Sequence, residues 1–449
     1  MRKSILALML ALAATPACAQ LLGGGGVASR LGVGPAVGGV GSAVQPVGQT
    51  LDALAPQSPG AARILADPLA LGPVEGVVET DASALLDQRR SRLRETLRRN
   101  GRVLEAGPDG ALVRRGEILA TGLSAAGLAA ATGAGFTVLR DERLEGADLR
   151  VTVLAPPEGR RLKAAVAALR TLAPGASIDF NAVYEPAGGP LATVAAARVA
   201  GSFPPVRPGV VIGIVDGGVS AHPALAGASI EQRGFAGQVT ATGHGTAVAS
   251  LLVGAAAGFS GAAQGANLLV ADVYGGSVAN GSAEAVARAI GWLIARHARV
   301  VSISLVGPPN AVVEAAVDAA RAGGVLVVAA VGNDGPAAPP QYPASYAGVV
   351  AVTGVDAHDR ALFEAGRAAH LDFAAPGAEI AAATPGGGFA AVRGTSFAAP
   401  LVAARLAAYA QNPLSGAAAE ARPGHGAVGR GVICEACRND PRPLAKKRG

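Results

Sequence analysis

Val210-Val211-Ile212-Gly213-Ile214-Val215-Asp216 is an unbroken apolar run that stops on a carboxylate. A strand with one wet face alternates polar and apolar side chains, so a run without alternation predicts a strand buried on both faces of a parallel sheet. Val300–Leu305, Val325–Ala330 and Val349–Val352 read the same way. Ala311–Ala322 has helical spacing between the first two of these, and Ser282 can cap an earlier helix whose Val286, Ile290, Leu293 and Ile294 face inward. Alternation of strand and helix over residues 208–412 predicts an α/β domain with a doubly wound, mostly parallel sheet. Ligands on such sheets bind beyond the carboxyl ends of the strands.

The reactive side chains stand at those ends. Asp216 closes the first run and is followed by Gly217-Gly218-Val219. His244 lies in Thr242-Gly243-His244-Gly245-Thr246, at the start of an uncharged helix. Asn333 follows the strand Val325–Ala330 within Val331-Gly332-Asn333-Asp334-Gly335, and Ser396 lies in Gly394-Thr395-Ser396-Phe397-Ala398-Ala399-Pro400 before the helix Leu401–Ala410. A serine hydroxyl needs a base to remove its proton, and the base needs a carboxylate to orient it. Glycines beside His244 and Ser396 permit sharp turns and close approach of a substrate backbone. His222, His297, His358 and His370 have no such setting and read as buried core histidines.

In the order Asp, His, Asn, Ser, these segments resemble the subtilisin-like serine proteases, the subtilases. The resemblance rests on Ile214–Val219, Gly243–Ser250, Ala329–Asn333 and Gly394–Pro400, with Ser304-Leu305-Val306-Gly307 and Ala375-Pro376-Gly377 in support, and covers about residues 205–412. It implies that Ser396 attacks a scissile carbonyl, that His244 relays the proton and that Asp216 holds the imidazole. It also implies that the Asn333 amide and the Ser396 N–H bind the oxyanion, with Ser304, Leu305, Val306, Gly307, Ala330 and Gly332 lining the substrate site. The implied activity is a serine endopeptidase acting on proteins or peptides. The alternative is a catalytically silent binding or scaffold protein of the same fold. Gly217 stands where the family has Ser or Thr, and Val306 where it has Gly. The valine predicts a narrow pocket that takes small or medium side chains before the scissile bond. No metal or organic cofactor is expected, and no residues assign a structural calcium site.

Upstream, 110–186 reads β-α-β-β-α-β, a ferredoxin-like module. Its strands are Ala111–Leu119, Phe136–Arg140, Leu149–Leu154 and the alternating Ile178, Phe180, Ala182 and Tyr184; its helices are Ser124–Thr132 and the run carrying Leu162, Ala165, Val166, Leu169 and Leu172. The resemblance makes this module a propeptide, an intramolecular inhibitor, with self-cleavage after Tyr184 or within Glu185–Pro208. Before it, Leu85–Arg99 is a helix with six arginines, read as a solvated face because no aromatic is interleaved for base stacking.

Arg2-Lys3, the apolar run Ile5–Ala14 and Pro16-Ala17-Cys18-Ala19 compose a secretory signal peptide, with acylation of Cys18 as the rival reading. The expected divisions are a signal peptide over 1–19, a Gly/Ala/Pro-rich linker over 20–82, a helix and propeptide over 83–186, a processing linker over 187–207, the catalytic domain over 208–412 and a C-terminal extension over 413–449. A secreted or periplasmic location follows. The uncharged stretch 245–271 carries five glycines and several polar residues and reads as helix, loop and strand, so no transmembrane anchor is expected. Cys434 and Cys437 cannot complete a four-ligand zinc site and read as a local disulfide. Lys446-Lys447-Arg448 reads as a solvated tail. Among 449 residues, 50% are apolar and 16% charged, which excludes a wholly disordered chain. A balance of 38 basic against 32 acidic residues is too slight to argue for nucleic acid.

Overall fold

The computed structural model describes residues 82–194, 198–199 and 205–441. The expected signal peptide, nearly all of the expected N-terminal linker, part of the expected processing linker and the basic tail lie outside the described residues. Helix α1 (Ala82–Arg99) precedes a small antiparallel sheet. That sheet contains β1 (Leu104–Ala106), β2 (Leu112–Thr121), β3 (Thr137–Arg143), β4 (Arg150–Ala155) and β5 (Ser177–Ala182), with α2 (Ala125–Gly133) and α3 (Leu162–Leu172) in the two crossovers. The four main strands lie in the order β5-β2-β4-β3, and β1 extends the sheet beside the first part of β2. Ser124 caps α2 by accepting from Gly127 N–H, and α3 buries Leu162, Ala165, Val166 and Leu169. The alternation of Ile178, Phe180, Ala182 and Tyr184 predicts a last strand reaching Tyr184, but β5 stops at Ala182. Val183 bridges to Ser282 and Tyr184 N–H donates to Gly281 O at 2.7 Å, so the chain leaves its own sheet there for the next domain.

Two short strands follow, β6 (Glu185–Pro186) and β7 (Gly189–Val194). The large domain then contributes β8 (Val211–Asp216), β9 (Ser229–Gly234), α4 (Gly243–Val253), β10 (Asn267–Asp272), α5 (Ala283–Ala295), β11 (Val300–Ile303), β12 (Leu305–Val306) and α6 (Ala311–Ala322). It continues through β13 (Leu326–Ala330), β14 (Val350–Val355), β15 (Phe373–Pro376), β16 (Ala378–Ala383), β17 (Phe389–Arg393), α7 (Thr395–Ala408) and α8 (Pro413–Glu420). Seven strands in the order β9-β10-β8-β11-β13-β14-β15 make an all-parallel sheet. The expected α/β architecture is therefore present. The long apolar strands are explained by burial on both sides: Ile212 and Ile214 of β8 pack with α4 and α7, whereas Val215, Val301 and Ile303 belong to the core under α5 and α6.

The core under α5 and α6 is continuous with the small sheet, joining Leu119, Val153 and Leu169 to Val286, Ile290, Trp292 and Val312. Polar groups seal the same junction. Arg140 donates twice to the Glu284 carboxylate, at 2.6 and 2.7 Å, and once to Glu117 at 2.8 Å, while Asn181 bonds both Glu117 and the backbone N–H of Glu284.

Two stretches outside the expected catalytic span are tied to the large domain. Residues 413–441 are not an appendage: α8 packs on α7, and Ile433, Cys434 and Cys437 belong to the large domain's core. Glu420 there receives the guanidinium of Arg405, which is 1% exposed. The processing linker is also not a bare connector, since β7 pairs antiparallel with β17 and Arg198–Val199 pairs with Asn439–Asp440. An open strand edge offers unpaired N–H and C=O groups, and the linker satisfies them. Of the four histidines read as core, only His222 is buried; His297 and His358 are exposed and His370 is half-buried. Cys434 and Cys437 are joined as a disulfide.

Candidate active site

Asp216 is the last residue of β8, at the carboxyl edge of the sheet, and is 2% exposed. His244 is in the first turn of α4, whose N-cap Thr242 accepts from Gly245 N–H. Ser396 is in the first turn of α7 behind Gly394, which has φ +140°. These elements bring the three side chains into one line. His244 Nδ1 lies 2.9 and 3.0 Å from the Asp216 carboxylate oxygens, and His244 Nε2 lies 2.9 Å from Ser396 Oγ. A carboxylate only accepts, so Nδ1 carries the proton and Nε2 of neutral His244 is left to accept from the serine hydroxyl. Asp216 also accepts from Gly217 N–H at 2.7 Å.

Gly217 has a geometric reason. A Cβ there would stand 2.4 Å from Thr242 Oγ1, so the threonine fills the space that a serine or threonine at 217 would need. Asp272, opposite Asp216 on β10, accepts three backbone N–H bonds, from Thr240, Tyr274 and Gly275. Burial nevertheless holds its carboxyl above the ordinary range, and the Asp216 charge adds to the effect.

The chain's own backbone occupies the cleft. Glu185 and Pro186 pair antiparallel with Val306 and Leu305, and Ala187 N–H donates to Ser304 O at 3.1 Å. Ser396 N–H donates to the carbonyl oxygen of Ala187 at 3.0 Å, and the Asn333 side-chain amide donates to the same oxygen. Asn333 is held in turn by its Oδ1, which accepts from Thr395 N–H. A Cβ on Gly188 would stand 2.2 Å from Ser396 Oγ, so the Ser396 hydroxyl lies against the Ala187–Gly188 peptide. Gly394 must be bare for the same reason: a Cβ there would meet Gly188 Cα at 2.7 Å and Ala187 O at 3.0 Å.

The expected substrate-site residues divide into two groups. Ser304, Leu305 and Val306 contact the segment through the backbone, and Gly307 lies under the buried ring of Tyr184, whose hydroxyl donates to Pro308 O. Gly332 stands behind them, its N–H donating to Thr395 Oγ1 and Val306 Cγ1 lying 3.3 Å from where a Gly332 Cβ would be, and Ala330 is buried in the cluster that holds Val306. Ala187 and Val306 share one buried cluster.

Sequence reasoning missed the part played by α1. Arg90, Arg94, Arg98 and Arg99 are exposed as expected of a solvated face, but Arg89 and Arg92 turn inward. Both pair with Asp334, next to Asn333, at 3.0 and 2.8 Å, and the Arg92 nitrogen also lies 3.6 Å from Glu185. Leu85 packs on Gly335. Burial raises the Glu185 carboxyl and neighbouring Asp334 adds to it, with Arg92 and Arg89 opposing. Burial works against the Arg92 charge, but Glu185 and Asp334 outweigh it and hold the guanidinium above its ordinary value. The only signal in sequence was the separation of Arg89 and Arg92 by three positions, which puts them on one helix face.

A buried carboxylate–imidazole–hydroxyl line beside two converging N–H donors is the apparatus of a serine endopeptidase. The Subtilase family pattern matches residues 207–422. Subtilisin Savinase from Lederbergia lenta is 37% identical over 212 residues, covering 46% of this chain and 78% of that protein. The alkaline protease from Alkalihalobacillus alcalophilus is also 37% identical, over 46% of this chain and 55% of its own length. The structure of fervidolysin from Fervidobacterium pennivorans aligns over 76% of this chain and 63% of its own with a TM-score of 0.60 at 20% identity, a likeness of fold. The chain belongs to the subtilase family, and its large domain is a serine endopeptidase domain.

Proposed function

We propose that the protein is a secreted serine endopeptidase made as a zymogen that cuts its own chain between Ala187 and Gly188. One observation carries this reading: the Ala187 carbonyl oxygen is gripped by both Ser396 N–H and the Asn333 amide, where an oxyanion would form. Ser396 Oγ attacks the Ala187 carbonyl carbon while His244 takes its proton, and Asp216 stabilises the resulting imidazolium. His244 then protonates the Gly188 nitrogen as the C–N bond breaks, leaving Ala187 esterified to Ser396. Water, deprotonated by His244, releases the Ala187 carboxylate and restores the serine. The chemistry requires no metal or cofactor at any step. The segment upstream of the cut, with its βαββαβ module, remains as inhibitor until it dissociates. Peptide substrates then add as a strand against Leu305 and Val306, with Ala187 and the Val306 wall favouring small side chains before the bond. The N-terminal basic–apolar stretch and the disulfide support export from the cytoplasm. Among the described residues, no helix is long and apolar enough to cross a membrane.

The test is N-terminal sequencing of purified wild type and Ser396→Ala. Wild type should yield a fragment starting Gly188-Gly189-Pro190, and Ser396→Ala should stay whole. Equal cleavage of both would overturn self-processing. A fluorophosphonate probe that fails to label Ser396 in the cut and dissociated protein would favour the silent scaffold instead.

A further inference from the structure

Resting on that reading of the cleavage site, we infer that Arg92 of α1 is a positioning residue for self-cleavage, admitting an acidic residue three positions before the cut beside Asp334, and that Asp334 selects against that residue in other substrates. Both carboxylates lie on one guanidinium nitrogen, Asp334 at 2.8 Å and Glu185 at 3.6 Å, so they are close neighbours. They are also shielded from water, with side-chain exposures of 8% for Asp334 and 12% for Glu185. Like charges so placed repel unless a cation lies between them. Arg92 supplies that cation, Arg89 adds a second on Asp334, and both come from a helix nearly a hundred residues upstream of Glu185. Leu85 on Gly335 anchors the same helix against the loop that carries Asn333 and Asp334.

Cleavage after Ala187 puts α1 and Glu185 on one fragment, so they depart together. Asp334 stays with the large domain, without Arg89 and Arg92. A second chain or peptide entering the cleft therefore meets a carboxylate beside its third residue, not a guanidinium. The protein recognises its own site through a cation it carries in cis and applies the opposite charge preference in trans.

The experiment compares self-cleavage rates of purified Arg92→Gln, Arg92→Gln/Glu185→Gln and wild-type precursors, then measures the released enzyme on two peptides. Arg92→Gln should cut about tenfold more slowly, and adding Glu185→Gln should restore the rate. A wild-type rate in Arg92→Gln, or a double variant as slow as the single one, would overturn the positioning role; the latter would mean that Arg92 serves the fold alone. Ser396→Ala run alongside separates this failure from failure of the self-cleavage reading, which would appear as cutting without the serine. On the released enzyme, Tyr-Lys-Pro-Ala-Gly-Gly should exceed Tyr-Glu-Pro-Ala-Gly-Gly about tenfold in kcat/KM, with the gap narrowed by Asp334→Asn. Equal values for the two peptides, or an unchanged gap in Asp334→Asn, would overturn the selection. This arm needs no variant of α1 to fold.

Discussion

A methyl group on residue 188 would compete with the nucleophile for the same space, since its carbon would lie 2.2 Å from Ser396 Oγ. Gly188 also has φ +155°, a value that glycine adopts far more readily than any other residue. Gly188→Ala should therefore slow cutting at this bond by about 10²-fold, because misplacing a reacting group by an ångström costs that much. A time course of precursor loss with sequencing of the new N-terminus checks this; an unchanged rate at the same bond would refute it. Glu185 provides a pH signature. Its carboxyl is raised, so the folded precursor keeps a proton that the unfolded chain releases at the ordinary glutamate value. Its share of stability is complete below that value and is lost as pH rises through the raised one. The charged groups that face it are Arg92 and Arg89 from α1 and Asp334 from the loop after β13. In a Ser396→Ala background, Glu185→Gln should gain in Tm over its parent as pH rises through that window and then level off. A difference that is flat with pH would contradict the assignment. Asp216, His244, Asn333 and Ser396 were legible as candidates because each stands at or just beyond the end of a strand or in the first turn of a helix, inside a short local motif. Arg92 was not, since its partner Asp334 lies 242 positions away and no local pattern encodes such a pairing.

The small sheet docks on α5 and α6, and the two differ in cover: α5 is buried almost all round, whereas α6 keeps Glu314, Asp318 and Arg321 exposed. Helical spacing revealed which residues of α5 turn inward, but α5 is buried on more than one face, with Ala283, Glu284 and Ala287 covered as well. A second buried face in sequence says that something packs there, without saying what. The partner is the small sheet and its turns: Gly291 of α5 is bare because the backbone of Glu145, between β3 and β4, passes over it. Glu284 is the polar centre of this junction, with 8% side-chain exposure and the bidentate grip of Arg140. Glu284→Gln would keep the volume and an acceptor but remove the charge, leaving Glu117 as the one carboxylate paired with Arg140. Charge-assisted hydrogen bonds at a buried interface hold the slow-dissociating state, so the cleaved N-terminal part should leave about tenfold faster. The lag before hydrolysis of a chromogenic peptide measures this directly, and an unchanged lag would show that apolar packing alone sets the dissociation rate.

At the scale of the whole molecule, strand–helix alternation was enough to reveal a parallel sheet, because its central strands are buried on both faces and carry no competing pattern, whereas the polar edge strand β9 gave no such signal. The end of the domain was illegible for the opposite reason. Residues 413–441 hold one short α-helix, a 3-10 turn, a two-residue strand and irregular chain, so no periodicity ties them to the core they complete. The tie is made by single contacts across the fold. Arg438 donates to the carbonyls of Ala378 and Asp356, Asn439 exchanges hydrogen bonds with Ser260, and Glu420 accepts from both Arg405 and Tyr409. Arg405 lies on α7, whose first turn holds Ser396, so residues 413–441 steady the element that presents the Ser396 hydroxyl. Glu420→Ala would take away the carboxylate on which a buried guanidinium and a phenol converge. Removing one partner of a buried pair strands the other charge, and the cost is about 3 kcal/mol. Glu420→Gln should cost less, since it keeps an acceptor for Tyr409. Urea unfolding of the Ser396→Ala precursor tests the order, with midpoints expected to fall from parent to Glu420→Gln to Glu420→Ala. Coincident midpoints would mean that the C-terminal segment lies on the domain without supporting it.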